Sequence, residues 1–101
     1  MRRFQVRITT TAKNHIRSIK SWGSENLGQD LDVFASELAH ALGQLAELPF
    51  SGGSYQAKPG VRRLLLRRSQ YHLYYTVDEE SRLVMVRAVW HIARGQKPEL
   101  R

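Results

Sequence analysis

No cysteine occurs in the chain, so neither a disulfide nor a thiolate-bound metal can hold this fold or carry its chemistry. Long apolar runs are also missing, and none approaches the ~20 residues needed to span a bilayer. The opening stretch, MRRFQVRITTT, is interrupted by Gln5, Arg7 and three threonines before an apolar segment of signal-peptide length develops, which leads us to expect a cytoplasmic protein. HExxH, a glycine-rich phosphate loop and a nucleophile elbow are all absent, which argues against metal, nucleotide and acyl-transfer chemistry; no cofactor is expected. Acidic residues are scarce: 9 Asp and Glu face 16 Lys and Arg, a formal net charge of +7. Such a surface attracts nucleic acid, ribosomes or an acidic protein segment, and charge alone does not choose among them.

What is present is a single domain, residues 1–101, with 42% hydrophobic content. A chain of this length buries about 60–70% of its unfolded surface, so one modest core suffices. The sequence is organised around Val61 to His91. Three β-rich runs stand there, Val61 to Arg67, Tyr71 to Val77 and Leu83 to His91, separated by short polar turns that predict an antiparallel meander. Ahead of it, Phe4, Val6 and Ile8 alternate with Arg3, Gln5 and Arg7, the period of a half-buried strand.

Thr10 or Thr11 is expected to cap a first helix whose stripe is Ala12, Ile16, Ile19 and Trp22, with Gly23 ending it. Leu27, Leu31, Phe34, Leu38, Ala41, Leu45 and Leu48 mark a second helix that stops at Pro49, with Gly43 a point of bending or fraying. Its stripe either packs on the sheet and the first helix or leaves part of itself for a partner. Phe50 to Gly60 reads as a long irregular connection whose Tyr55 and Lys58 are placed to meet a ligand or simply to carry the chain onward; the residues after His91 read as a tail. The fold class is therefore α+β: an N-terminal strand and a two-helix antiparallel hairpin packed on a mainly antiparallel four-stranded sheet.

Strict alternation in the last strand sends Val84, Val86, Ala88 and Trp90 toward the helices and Arg87 and His91 to the open face, where strand-two arginines join them. A basic face of this kind cleaves RNA if a base activates the ribose hydroxyl, arginines stabilise the phosphorane and an acid protonates the leaving oxygen. Arg63, His72 and His91 are the candidates for those roles. His15 and His40 read as helix-surface residues.

Leu48-Pro49 with Gly52-Gly53, then Gly60-Val61-Arg62, then Tyr71-His72-Leu73-Tyr74-Tyr75-Thr76-Val77-Asp78, then Val89-Trp90-His91-Ile92-Ala93-Arg94 together resemble the ParE/RelE toxin superfamily over nearly the whole chain. The resemblance implies the toxin half of a toxin-antitoxin pair, silenced by an acidic, partly disordered antitoxin that folds over it; Trp22, Leu27, Leu31 and Phe34 are the docking positions we expect. Two mechanisms follow from the resemblance, ribosome-dependent mRNA cleavage and DNA gyrase poisoning. RelE-like ribonucleases use two strand-two lysines, a strand-three arginine, and an arginine and tyrosine near the C-terminus. Here Arg63 stands at the first lysine position and His72 at the strand-three arginine, but Leu65, Ile92 and Pro98 occupy the others. His91-Ile92-Ala93-Arg94 instead resembles the His-x-Ala-Arg ending of ParE-like members. The expectation is a gyrase poison, not itself an enzyme, that binds its target through Arg62, Arg63, His91 and Arg94. The alternatives are a ribonuclease using Arg63, His72 and His91, and a scaffold that retains only antitoxin binding.

Overall fold

The alternation of Val6 and Ile8 with Gln5 and Arg7 forms β1 (Gln5–Ile8), which leads into α1 (Thr10–Asn26). The computed structural model describes residues 3–26 and 30–93 together with Pro98 and Leu100. The cap of α1 is Thr9 rather than Thr10 or Thr11: its Oγ1 accepts the Ala12 N–H at 3.1 Å, while the Thr9 N–H donates to Val86 O at 2.9 Å. Thr9 is still paired with the sheet and so occupies the turning point between strand and helix. Gly23 does not end α1, which continues to Asn26; with helical dihedrals on both sides, glycine is only a weak point there.

The second stripe forms α2 (Asp30–Glu47), which runs unbroken through Gly43. Phe34, Leu38, Ala41 and Leu45 are buried as their spacing predicts, but Leu48 falls beyond the last turn and is exposed. Leu27 lies outside the described residues.

Among the described residues the sheet has five strands rather than four. Part of the expected irregular connection, Gly53–Ser54, is a short strand, β2, paired antiparallel with β3 (Arg62–Leu66). It then continues through β4 (Tyr71–Asp78) to β5 (Leu83–His91), and β1 closes the far edge in parallel with β5, giving the order β1-β5-β4-β3-β2. Gly52 fixes where β2 lies. Its N–H donates to the Tyr75 hydroxyl at 2.9 Å, and Tyr75 is fully buried.

A β-bulge corrects the expected division of β5. Tyr74 pairs with Ala88 and Tyr75 with Val86, which leaves Arg87 as an extra residue on β5. Up to Val86 the alternation holds, and Val84 and Val86 pack with the helices. After the bulge it is inverted: Val89 joins that helix-side core, whereas Ala88 and Trp90 join a second apolar cluster with Val61, Tyr74, Tyr55 and Leu100 on the other face. Arg87 keeps to the open side, its Nε donating to Thr76 Oγ1 at 3.0 Å.

The β3–β4 turn is tied to α2. Glu37 accepts the backbone N–H groups of Arg68 at 2.8 Å and Ser69 at 2.7 Å. Burial opposes the charged carboxylate, but these donors outweigh it and hold Glu37 below the ordinary carboxylate range. A depressed carboxyl stabilises the fold above its ordinary pKa and loses that contribution as pH falls through the lowered one, so this latch fails on the acid side. Asp78 serves the β4–β5 turn, where its Oδ1 accepts the Glu80 N–H at 3.1 Å and Arg82 adopts φ 53°.

Candidate functional site

Two surfaces gather the residues with chemical potential, one on each face of the sheet. On the open face, Arg63 pairs across strands with Tyr74, and His72 pairs with Leu65 on one side and Trp90 on the other. Residues directly opposite in a sheet share a face, so Arg63 and His72 lie together there with Arg87. Arg63 stacks on Tyr55 at 5.2 Å, Tyr55 meets Tyr74 edge-on at 5.0 Å, and Tyr74 meets His72 at 5.9 Å. The result is a row of aromatic rings edged by guanidinium groups.

Burial of His72 is the main cause that lowers its pKa from the ordinary imidazole value, and the Arg63 charge adds to it. His72 is therefore neutral at pH 7. Replacing Arg63 by glutamine is expected to raise the His72 pKa without restoring it fully, because the burial remains; an NMR titration of the His72 ring protons measures it. In the folded protein this depressed histidine favours stability above its ordinary pKa, and the contribution is lost as pH falls through the lowered value.

The second surface is a cleft of about 750 Å³ between the helical hairpin and the ends of β4 and β5. Ile19, Trp22, Leu31, Phe34, Tyr71 and Val89 supply apolar walls, with His15, Arg68 and His91 as polar members. Trp22 is 53% exposed at its mouth and Phe34 only 2% at its base. His15 is not a simple surface residue: its Nδ1 accepts the Val89 N–H at 3.2 Å, and its ring lies 5.2 Å from Trp90. That bond serves β5 where β1 no longer pairs with it, since the β1 register ends at Val86. His40 is exposed on α2.

The residues expected to bind a target are not brought to one surface. Arg62 and Arg63 project to opposite faces. Arg62 is occupied at the corner ahead of β2, its Nε donating to Gly52 O at 2.9 Å, its Nη2 to Phe50 O at 3.2 Å, and its guanidinium 5.2 Å from the Phe50 ring. His91 follows the bulge to the helix side, packs edge-on against Tyr71 at 5.0 Å and accepts the Ala93 N–H through Nδ1 at 3.1 Å. Arg94 lies outside the described residues. The trio Arg63, His72 and His91 is divided in the same way, with the two histidines on opposite sides of the sheet. Of the expected docking positions, Trp22, Leu31 and Phe34 do meet, all three lining the cleft.

Sequence reasoning missed Arg68 and His15 in the cleft and the packing of Leu100 on the open face. Arg68 and His15 sit where a turn and a strand edge meet the hairpin, which no periodicity marks. Among the described residues, no cluster of three or more His, Cys, Asp or Glu side chains could hold a metal ion, and no helix is long and apolar enough to cross a membrane.

The family model of the ParE toxin of type II toxin-antitoxin systems (parDE) matches residues 6–95. No curated protein matches the sequence. Among solved structures, a chain of the chromosomal ParDE system of P. aeruginosa superposes with TM-score 0.73 at 15% identity, covering 88% of this chain and 96% of that one. A chain of the RelBE2 toxin-antitoxin complex of Mycobacterium tuberculosis gives TM-score 0.64 at 27% identity, covering 93% and 97%. The intact E. coli RelBE complex contributes a third, with TM-score 0.66 at 23% identity over 90% and 99%. The strand, helical hairpin and sheet described above are thus the fold of both kinds of toxin, and the chain belongs to the ParE/RelE superfamily as a toxin of a type II toxin-antitoxin system.

Proposed function

We propose that this toxin acts by binding DNA gyrase and stabilising its cleaved DNA complex, without itself performing catalysis, and that an acidic antitoxin silences it. The observation that carries the choice of target is the separation of His72 from His91 by the thickness of the sheet. A ribonuclease needs its acid and base to flank one scissile phosphate, and two side chains on opposite faces of a sheet do not reach the same phosphate. Leu65 and Ile92, where the RelE-like resemblance asks for a lysine and an arginine, add to this, since neither offers a charge or a proton. The target-binding surface is the open face around Arg63, with Arg87 beside it. Arg62 supports that surface from behind by holding the Gly52 corner, and His91 belongs to the cleft.

The cleft suits the antitoxin. Its apolar walls and its Arg68 and histidine members fit an amphipathic segment that inserts apolar anchors and turns carboxylates toward the arginines, and complementary charge speeds the encounter. Membership of a toxin-antitoxin family and the net charge of +7 support such a partner. The ribonuclease reading keeps one observation in its favour, the neutral His72 next to Arg63 on one face.

Expression of the toxin alone is expected to arrest growth, and co-expression of its antitoxin to restore it. Arg63→Gln and Arg87→Gln should each weaken the arrest by degrees, with about 1–3 kcal/mol lost per charge-assisted contact. Unimpaired growth at high levels of folded toxin, in a host whose gyrase is sensitive to ParE toxins, would remove the proposal.

A further inference from the structure

Not one of the described residues that line the cleft is acidic. Its arginine, Arg68, stands in the β3–β4 turn, and that turn is pinned. Gln70 N–H donates to Leu66 O at 2.8 Å, Ile92 N–H donates to Gln70 O at 3.0 Å, and Glu37 holds the Arg68 and Ser69 N–H groups from α2. Both Glu37 oxygens are spent on those backbone donors, and among the described residues no ion pair takes up the Arg68 guanidinium. The exposed Arg68 side chain thus stands on a fixed base with its donors available. Just past this turn Tyr71 pairs with His91, which brings the histidine to the same end of the cleft. The His91 Nδ1 accepts the Ala93 N–H, which leaves the ring hydrogen on Nε2 as a donor, and Tyr71 packed edge-on holds the ring in place. Phe34, Tyr71 and His91 follow one another at ring spacings of 5.0 Å, so two such steps lead from the apolar base of the cleft to this donor. Side chains one helical turn apart stand about 5–6 Å from each other at Cβ, which matches that reach.

We propose that Arg68 and His91 form a carboxylate seat, and that the antitoxin helix filling the cleft carries an aspartate or glutamate one turn from the apolar side chain it inserts over Phe34. The seat rests on the reading of the cleft as the antitoxin site and adds to it the order of residues the partner must present. A guanidinium and an imidazole N–H offer donors to both oxygens of one carboxylate, and no acid of the cleft competes for them. An apolar residue or an amide at that position leaves the cation without its acceptor, so the seat discriminates among partners as well as attracting them.

The test isolates the carboxylate from the rest of the antitoxin by titrating 4-phenylbutyrate and its neutral isostere 4-phenylbutanamide into the full chain, followed by amide-resolved NMR. The acid is expected to shift the amides of Tyr71 and Ala93 and to bind about tenfold more tightly than the isostere. Arg68→Gln and His91→Leu should each bring the two ligands within about threefold of one another, whereas His91→Gln, which keeps an N–H donor, should keep most of the preference. Titrated with purified antitoxin, Arg68→Gln should bind about tenfold more weakly, and His91→Leu should cost less when added to it than alone, because both side chains hold the same carboxylate. Circular dichroism confirms that each variant is folded. Equal binding of acid and isostere, no binding of either, or additive losses with the antitoxin would overturn the seat. If antitoxin binding were still lost in the Trp22 and Leu31 double variant, those results would remove the carboxylate alone and leave the cleft as the docking site.

Discussion

Replacing Trp22 and Leu31 together by alanine is expected to weaken antitoxin binding by about 100- to 1,000-fold, roughly 3–4 kcal/mol, while leaving the toxin folded. Both side chains line the cleft, and Trp22 is 53% exposed, so most of its area is there for a partner to bury. A tryptophan at the mouth of a desolvating pocket is the residue type most often found to dominate an interface. Phe34 supplies the contrast. At 2% exposure, with its ring 5.0 Å from that of Tyr71, it belongs to the core, and Phe34→Ala should destabilise the toxin itself by about 3–5 kcal/mol. Calorimetric titration of purified antitoxin into each variant distinguishes the two effects. If the Trp22 and Leu31 double variant bound within threefold of the native toxin, the antitoxin would have to dock elsewhere.

A second large effect on stability is expected at Gly52. A Cβ added there would lie 2.6 Å from Arg63 O and 2.7 Å from the Tyr75 hydroxyl, inside contact distance of both backbone and a fully buried ring. Neither can give way without cost: Arg63 O belongs to the sheet ladder, and the Tyr75 hydroxyl is the acceptor for the Gly52 N–H. Gly52→Ala should therefore lose about 3 kcal/mol and lower the melting temperature by ~10–20 °C. Gly53→Ala, where a Cβ meets nothing within 4 Å, should change stability by less than about 1 kcal/mol. Thermal unfolding of the pair tests this account of how β2 is pinned. Similar melting of the two variants would mean that the corner relaxes freely.

These expectations divide sharply between what local sequence encodes and what only the assembled sheet reveals. The helical stripes were legible because Ala12, Phe34, Leu38, Ala41 and Leu45 recur at a spacing that leaves one face apolar, and that face is buried. The three long strands were legible from branched and aromatic runs between polar turns. β2 was not, since Gly53 and Ser54 have no strand propensity of their own; the bond between Gly52 and Tyr75, 23 residues away, holds them against β3. Nor was the bulge. Arg87 carries no glycine or proline to announce it, and one extra residue was enough to turn His91 from the open face to the cleft and Ala88 from the helices to the open face. Thus family membership could be read from scattered motifs, while the grouping of site residues depended on a single register shift. The expected docking positions Trp22, Leu31 and Phe34 do line one cleft, because all three come from the helical hairpin, where no strand register intervenes.

The most direct test of the proposed target compares the purified toxin in a gyrase supercoiling and cleavage reaction with the same toxin on translating ribosomes. Inhibited supercoiling with accumulated cleaved DNA, mRNA left intact, graded losses for Arg63→Gln and Arg87→Gln, and full activity in His91→Ala are the results expected. Ribosome-dependent mRNA cuts abolished by His72→Ala or His91→Ala, about 100-fold to 10,000-fold down as for loss of a catalytic acid or base, with gyrase unaffected, would contradict it.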